Sequence, residues 1–565
     1  MSIDAPPTEP ASAPWGRDLL VLAVLFAVLL GLQLGSAPLA NPDESRYAEI
    51  PREMVATGDW VTPRLNGVVY FEKPPLVYWV GAVLQEVFGA NDWAMRAIPA
   101  GFGLAGILLT YAAARRLHGR TAGLLAAGVL GTSLLFFALS RVLLLDMPVA
   151  VLMSATLFCF LLGVREAPGA RRRWLFYGLY ASAALATLAK GLIGFLLTGA
   201  VMFLWLLVFN QWRRLLPLYL PTGLLLFAAI AVPWHVLAAQ RNPQWAQFYF
   251  VHEHWERFTT TAHGRAEPWW YFGPVLLAGF FPWTGFLWPV LRERLKGGWT
   301  AARGANADAW FLALWAGFIL LFFSKSQSKL IPYILPVFPP LAVLLGAWLA
   351  GIVAGQSTER LRWPLRIFGF FAGILGAALL IAALRPGTIR PEEIRLAVRD
   401  NAIPGAVILI TGGVASVWFS RNRGVREALA AVAVTAAGFY AAVATAQDDF
   451  ARSDTRSLAA YTMARIQPGD RIYHYRGFFH DFVFYARREV GTVAWKDELE
   501  IDIDPAAPAS GRFVDEPEFR RQWAGPQRLW VVARREEAEP LFRDASFQFQ
   551  LLAETRNHVL FSNRP

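Results

Sequence analysis

Cysteine is almost missing from this chain. Cys159 stands alone inside an apolar run, so no disulfide and no cysteine metal site can form within one chain, and the redox compartment cannot be read from it. Charge is also scarce. Only 17% of the 565 residues are charged, where a soluble protein carries roughly a quarter. No internal repeat and no heptad run is present, and low complexity is confined to the Pro/Ala-rich Ser2–Pro14, which reads as disordered. Repeat arrays and coiled coils are thereby excluded.

What is present is apolar length: 55% of the residues are hydrophobic. The distribution is uneven. Residues 19–446 hold one apolar run after another, and residues 447–565 read as an ordinary soluble sequence. A run of about 18 or more apolar residues reads as a membrane span. Thirteen spans are expected, at 17–36, 94–114, 121–139, 143–164, 174–190, 191–209, 215–239, 269–291, 308–324, 330–354, 364–384, 403–420 and 426–446. Pro74–Phe88 reads as a re-entrant or interfacial helix. The expected fold class is mainly α: a polytopic bundle with a small C-terminal α/β domain. The organisation is a disordered cytoplasmic tail at 1–16, a membrane domain at 17–446 and a soluble domain at 447–565. In the last, Arg471–Tyr475, Asp481–Tyr485, Arg528–Val532 and Val559–Ser562 read as strands, and Thr455–Ile466 and Asp515–Trp523 as helices.

The net charge of +11 would suggest nucleic acid in a soluble protein. Here the cations fall in short alternate loops: Arg115, Arg116 and Arg120; Arg165 and Arg171–Arg173; Arg213 and Arg214; Arg292, Arg294, Lys296 and Arg303; Arg360, Arg362 and Arg366; Arg421, Arg423 and Arg426. Such loops face the cytoplasm, so the partner is a lipid bilayer and not nucleic acid. The segments 37–93, 240–268, 325–329, 385–402 and the C-terminal domain then lie outside. Ala37-Pro38-Leu39-Ala40 resembles a signal-cleavage site, but the few cations before the first span favour an uncleaved helix.

The outer segments hold the chemistry. Asn41–Met54 reads N-P-D-E-S-R-Y-A-E-I-P-R-E-M, and its Asp43 and Glu44 suit either a helix N-terminus or a catalytic site. Tyr70–Leu76 sets Glu72 and Lys73 before two prolines. Asp146 stands at the outer end of the fourth span, as a helix cap or as a functional carboxylate. Val251–Arg257 offers His252, Glu253, His254 and Glu256 as ligands without an established zinc spacing, or simply a surface helix. Arg257 and Lys190 are candidate phosphate binders. Lys325 and Lys329 offer two more cations, or merely snorkel. Together these residues suit an anionic, lipid-attached substrate: cations hold a phosphate while a carboxylate orients or deprotonates an acceptor.

The sequence resembles the C-fold glycosyltransferases, in the group of protein O-mannosyltransferases and lipid A aminoarabinose transferases. The motifs are Asn41–Tyr47, Gly58-Asp59-Trp60-Val61-Thr62-Pro63, Phe71–Leu76, Arg141–Pro148 and Lys329–Tyr333. The resemblance runs through most of residues 17–446. It implies a thirteen-span enzyme of the bacterial inner membrane that takes its sugar from undecaprenyl phosphate on the periplasmic side. It assigns Asp43 and Asp146 as the site carboxylates, and Lys73, Arg257, Lys190, Tyr333 and Arg46 as residues around the carrier phosphate. It also implies a divalent metal, zinc, at Glu72 and His252. The expected acceptor is lipid A or another periplasmic group. Three readings follow: transfer of 4-amino-4-deoxy-L-arabinose to a lipid A phosphate, transfer to a hydroxyl of a protein or glycan, and lipid transport without chemistry. The last predicts inverted repeats and a midplane site, which the sequence does not show.

Overall fold

The computed structural model describes residues 15–249, 267–355, 359–385, 392–450, 454–495, 499, 504, 507 and 510–565. The chain folds as two compact units. The first is drawn from Met1–Leu34, Arg96–His235 and Phe250–Phe450, and the second from Gly35–Met95, Val236–Tyr249 and Ala451–Pro565.

The first unit is helical. Each of the thirteen expected segments falls on a helix or a helix pair. Among the described residues, eight helices are long and apolar enough to cross a membrane. A ninth crossing results if Phe272–Gly279 and Thr284–Arg294, bent by 107°, are counted as one span. The remaining segments land on helices that are shorter, such as Trp15–Gly31 and Ile193–Phe209, or that begin with arginines, as Ala170–Lys190 does. Two breaks have local causes. Pro282 has no amide proton to continue a helix at the bend. At 121–139, the Thr132 and Ser133 hydroxyls donate to the Gly128 and Val129 carbonyls at 2.6 and 2.7 Å, which competes with the helical ladder. The segment therefore divides into Arg120–Gly131 and Leu134–Leu139.

Helix contacts use small residues, as expected where lipid gives helices no hydrophobic reason to associate. A Cβ at Gly346 would meet the Ala122 carbonyl and Ala126 Cβ at 2.7 Å. Ile331–Gly355 is central, with 83% of its most apolar stretch buried. Glu359–Leu384 is peripheral, at 22%, and presents its apolar face outward as a lipid-facing helix should. Near one end of the unit, Asp18 accepts two hydrogen bonds from Arg120 at 2.7 Å each and one from Arg115 at 3.0 Å. Arg172 donates to the carbonyls of Glu166, Arg214, Leu215 and Pro217 at 2.8–3.2 Å. Two of the arginine-rich loops are thus tied down as well as charged.

In the second unit, Asp43–Thr57 is a helix closed by Gly58 in the left-handed region at φ 71°. A hairpin follows, β1 (Arg64–Leu65) and β2 (Val68–Val69). Leu76–Phe88 comes next; its thirteen residues are too few to cross a hydrocarbon core of about 30 Å. The C-terminal sheet comprises β3 (Arg471–Tyr475), β4 (Gly491–Val493), β5 (Phe513–Val514), β6 (Leu529–Arg534), β7 (Gln550–Glu554) and β8 (His558–Ser562), in the order β5-β4-β3-β6-β8-β7. The first four are parallel, and β8 and β7 are antiparallel. Asp481–Tyr485, expected as a strand, lies inside the helix His480–Ala486. A short run with an apolar centre carries no period to separate strand from buried helix. Here Phe482, Val483 and Phe484 are all buried.

Candidate functional site

In the first unit, Asp146 opens the helix Asp146–Gly163 and Lys190 closes Ala170–Lys190. Gly191, at φ 89°, ends the second helix, and its amide donates to the Thr187 carbonyl. An acid at a helix N-terminus and a cation at a C-terminus are each favoured by the helix dipole. The two side chains meet: Lys190 Nζ lies 2.5 Å from Asp146 Oδ1, at 17% and 14% exposure. The ammonium also sits 5.1 Å from the centre of the Tyr333 ring. That ring packs against Phe323 at 5.1 Å. The structure thus brings into contact three residues that the resemblance had assigned to one site. An ammonium has three donors, and the carboxylate takes one. Lys329 is buried and donates to the Glu267 and Ser326 carbonyls at 2.7 and 2.6 Å. Its charge is spent on loop carbonyls, whereas Lys325 is exposed.

In the second unit, the acids of the first outer segment divide by role. Glu44 accepts from the Ala40 amide at 2.9 Å. Asp59 accepts from the Val61 and Thr62 amides and pairs with Arg241 at 3.2 Å. Asp92 accepts from the Tyr485 hydroxyl at 2.7 Å and pairs with Arg456. Glu49 is fully buried against Arg52, with contacts of 2.6 and 2.7 Å. Burial raises its pKa, with Arg52 opposing. Glu53 is held still further above the usual carboxylate range, by burial first and by neighbouring Glu49 second. Asp43, by contrast, is 56% exposed at the start of its helix, with Arg46 3.8 Å away.

Lys73 donates to the Glu72 carbonyl at 2.8 Å and lies 3.6 Å from the Glu72 carboxylate. Tyr70, three residues earlier, is fully buried, and its hydroxyl has no hydrogen-bond partner among the described residues. Burial pushes its pKa well above the usual phenol value; Glu72 adds to the shift and Arg46 opposes it. Tyr70, Arg46 and Glu72 are therefore close enough to feel one another. A buried hydroxyl left unsatisfied costs about 1–3 kcal/mol, which a ligand oxygen would relieve. Residue type and position did not single out Tyr70, although it begins the very run that contains Lys73.

Arg257 and His252 lie outside the described residues, as do His254 and Glu256. Among the described residues, no group of three or more His, Cys, Asp and Glu side chains is arranged to hold a metal ion. Glu72, the described half of the expected pair, is a single carboxylate beside an ammonium. His252, the other half, lies outside the described residues.

A bundle of long apolar helices carrying carboxylates and cations, together with a small α/β domain, is the architecture expected of an integral membrane glycosyltransferase of the C-fold class. The family model for dolichyl-phosphate-mannose-protein mannosyltransferase matches residues 18–249. The undecaprenyl phosphate-α-4-amino-4-deoxy-L-arabinose arabinosyl transferase of Pectobacterium carotovorum is 34% identical over 378 residues, 66% of this chain and 67% of the relative. Its counterpart in Aeromonas hydrophila is 32% identical over 397 residues, 69% and 70% of the two chains. Crystalline ArnT from Cupriavidus metallidurans bound to undecaprenyl phosphate superposes with a TM-score of 0.85 at 30% identity, over 98% of this chain and 99% of that one. The chain belongs to the undecaprenyl phosphate-aminoarabinose arabinosyl transferase family.

Proposed function

We propose that the protein transfers 4-amino-4-deoxy-L-arabinose from undecaprenyl phosphate to a phosphate of lipid A, at the periplasmic face of the bacterial inner membrane. The observation that carries this reading is the near-complete superposition on a relative that binds undecaprenyl phosphate. In the reaction, an acceptor phosphate oxygen attacks the anomeric carbon. The bond from that carbon to the carrier phosphate breaks, and undecaprenyl phosphate leaves with the electron pair. Lys73 and Arg257 stabilise the leaving phosphate, where charge develops. The Tyr70 hydroxyl, kept neutral by its burial, is a further donor to that phosphate.

An acceptor phosphate is already anionic at neutral pH and needs no base. Asp43 therefore orients the substrates or stabilises positive charge developing on the sugar ring, and Asp146 holds the Lys190 ammonium in place. The periplasmic sidedness is supported by the make-up of the second unit. It gathers Gly35–Met95, Val236–Tyr249 and Ala451–Pro565, nearly all of which fall in segments that the arginine pattern puts outside.

The mannosyltransferase family match over 18–249 favours a second reading, with the same kind of donor and a hydroxyl acceptor. Mass spectrometry of lipid A from cells with and without the protein separates the two. An added aminoarabinose mass that depends on the protein supports the first reading. Unchanged lipid A alongside a glycosylated periplasmic protein supports the second.

A further inference from the structure

The hairpin β1–β2 has two residues per strand, and a two-stranded ribbon of that size has little stability of its own. Its turn is Asn66-Gly67, with both residues at positive φ, 56° and 73°, the pairing that tight hairpins require. What holds it comes largely from outside the hairpin. From one side, Glu53 accepts from the Asn66 amide at 2.5 Å and the Gly67 amide at 2.9 Å. From the other, the Asn66 side chain exchanges two hydrogen bonds with the Val490 backbone, at 2.9 and 2.8 Å. Arg512 donates to the Asn66 carbonyl at 2.9 Å and pairs with Glu489 at 2.7 Å. Asp504 accepts from the Val69 amide at 3.0 Å. A Cβ on Gly67 would meet Glu489 Oε1 at 2.6 Å.

Asn66 is fully buried, with its amide, its carbonyl and both ends of its side chain bonded. Four residues after β2 comes Lys73. The Tyr70 amide, between them, is held by the Pro63 carbonyl at 2.9 Å.

We infer that Asn66 and Glu53 are positioning residues, which with Val490, Arg512 and Asp504 of the C-terminal domain fix the segment Tyr70–Lys73 for the carrier phosphate. The inference rests on the reading of that segment as the phosphate site. The C-terminal domain thereby sets the geometry of a loop that cannot set its own.

The test uses full-length protein in nanodiscs and undecaprenyl phosphate as the probe. Asn66→Gly keeps the positive φ and removes only the side-chain clamp; Glu53→Gln keeps the shape and loses one acceptor. Both should weaken undecaprenyl phosphate binding about tenfold while the protein stays folded. Asn66→Gly should add nothing in a Lys73→Ala background if it acts through Lys73. Unchanged binding in both Asn66→Gly and Glu53→Gln overturns the positioning role, whatever Lys73→Ala does. Weakened binding in those two with a neutral Lys73→Ala instead removes Lys73 from the phosphate site and leaves the clamp acting on another group of the segment.

Discussion

The two units hold the lysines proposed for the site in opposite ways. Lys190 stands at the end of the helix Ala170–Lys190. A carboxylate from another helix touches it, an aromatic ring lies beneath it, and both partners of the ion pair are largely buried. Lys73 stands on a loop, against its own neighbour's carbonyl, and the loop is shaped by contacts several residues upstream. The first arrangement builds the charge into the fold, so that removing either partner damages both stability and chemistry. The second keeps the charge beside its chain neighbour: Lys73 is as little exposed as Lys190, at 12% and 17%, but the carboxylate next to it, Glu72, is the adjoining residue, 3.6 Å away.

The sharpest way to break this contrast is Asp146→Ala. It leaves the Lys190 ammonium largely buried without its partner, which should cost about 3 kcal/mol of stability. Thermal unfolding in detergent should show the loss, and Lys190→Met in the same chain should recover much of it. A neutral Asp146→Ala would mean that Lys190 is not built in at all.

Lys73→Ala comes next. It should lower kcat/KM for the donor by about 1.5–3 kcal/mol, the worth of a charge-assisted contact, with a smaller melting shift than Asp146→Ala. Lys73→Arg should rescue only in part, because a planar fork does not replace a compact ammonium.

Smaller effects come from pH, measured as stability of the intact protein across a pH series. His474 is buried, with its pKa pushed well below 6.5 by burial first and by His480 and His558 second. Below pH 6.5 the unfolded chain binds a proton that the native one refuses, so stability should fall as pH falls, by at most about 1.4 kcal/mol per unit. His474→Asn, which keeps an acceptor for the Phe479 amide, should flatten that limb. Glu53 works in the other direction. Its native pKa lies above the ordinary value of 4.5, so its contribution is complete below that value and is lost as pH rises through the raised one. Glu53→Gln should remove that alkaline loss.

The smallest effect on stability should come from Asp43→Asn, within about 0.5 kcal/mol, because the side chain is more than half exposed. Transfer activity should nevertheless fall about 100-fold, as when an electrostatic group at a reacting centre is lost. A melting shift as large as that of Asp146→Ala would place Asp43 among the structural acids with Glu44 and Asp59.

The spans were legible because apolar length is a one-dimensional signal, readable without knowing what packs where. Their breaks were not: the division at Thr132 depends on hydroxyls turning back to their own helix, and the bend at Pro282 on how the chain leaves the proline. Asp146 and Lys190 could each be named from residue type and position at a span end, and Tyr333 through the family resemblance, which put all three around one site without saying which side chains touch. Their meeting could not, because Asp146 and Lys190 lie 44 positions apart. The hairpin does carry a local signal, Asn66-Gly67 between Leu65 and Val68. The bond from Asn66 to Val490 has none, since no local pattern links positions 424 apart. Asp481–Tyr485 resembles a strand because its apolar residues leave no polar face to reveal a period.

That separation of 424 residues also bears on how the enzyme is made. A ribosome adding about 5–20 residues per second completes Asn66 some tens of seconds before Val490 exists. Until the far end of the polypeptide has been synthesised and delivered to the same side of the membrane, the turn lacks its clamp. If the loop Tyr70–Lys73 binds the carrier as proposed, a nascent or prematurely terminated chain can insert its helices and still hold that loop unset, so an assay that detects only insertion would count as finished a molecule that is not yet an enzyme.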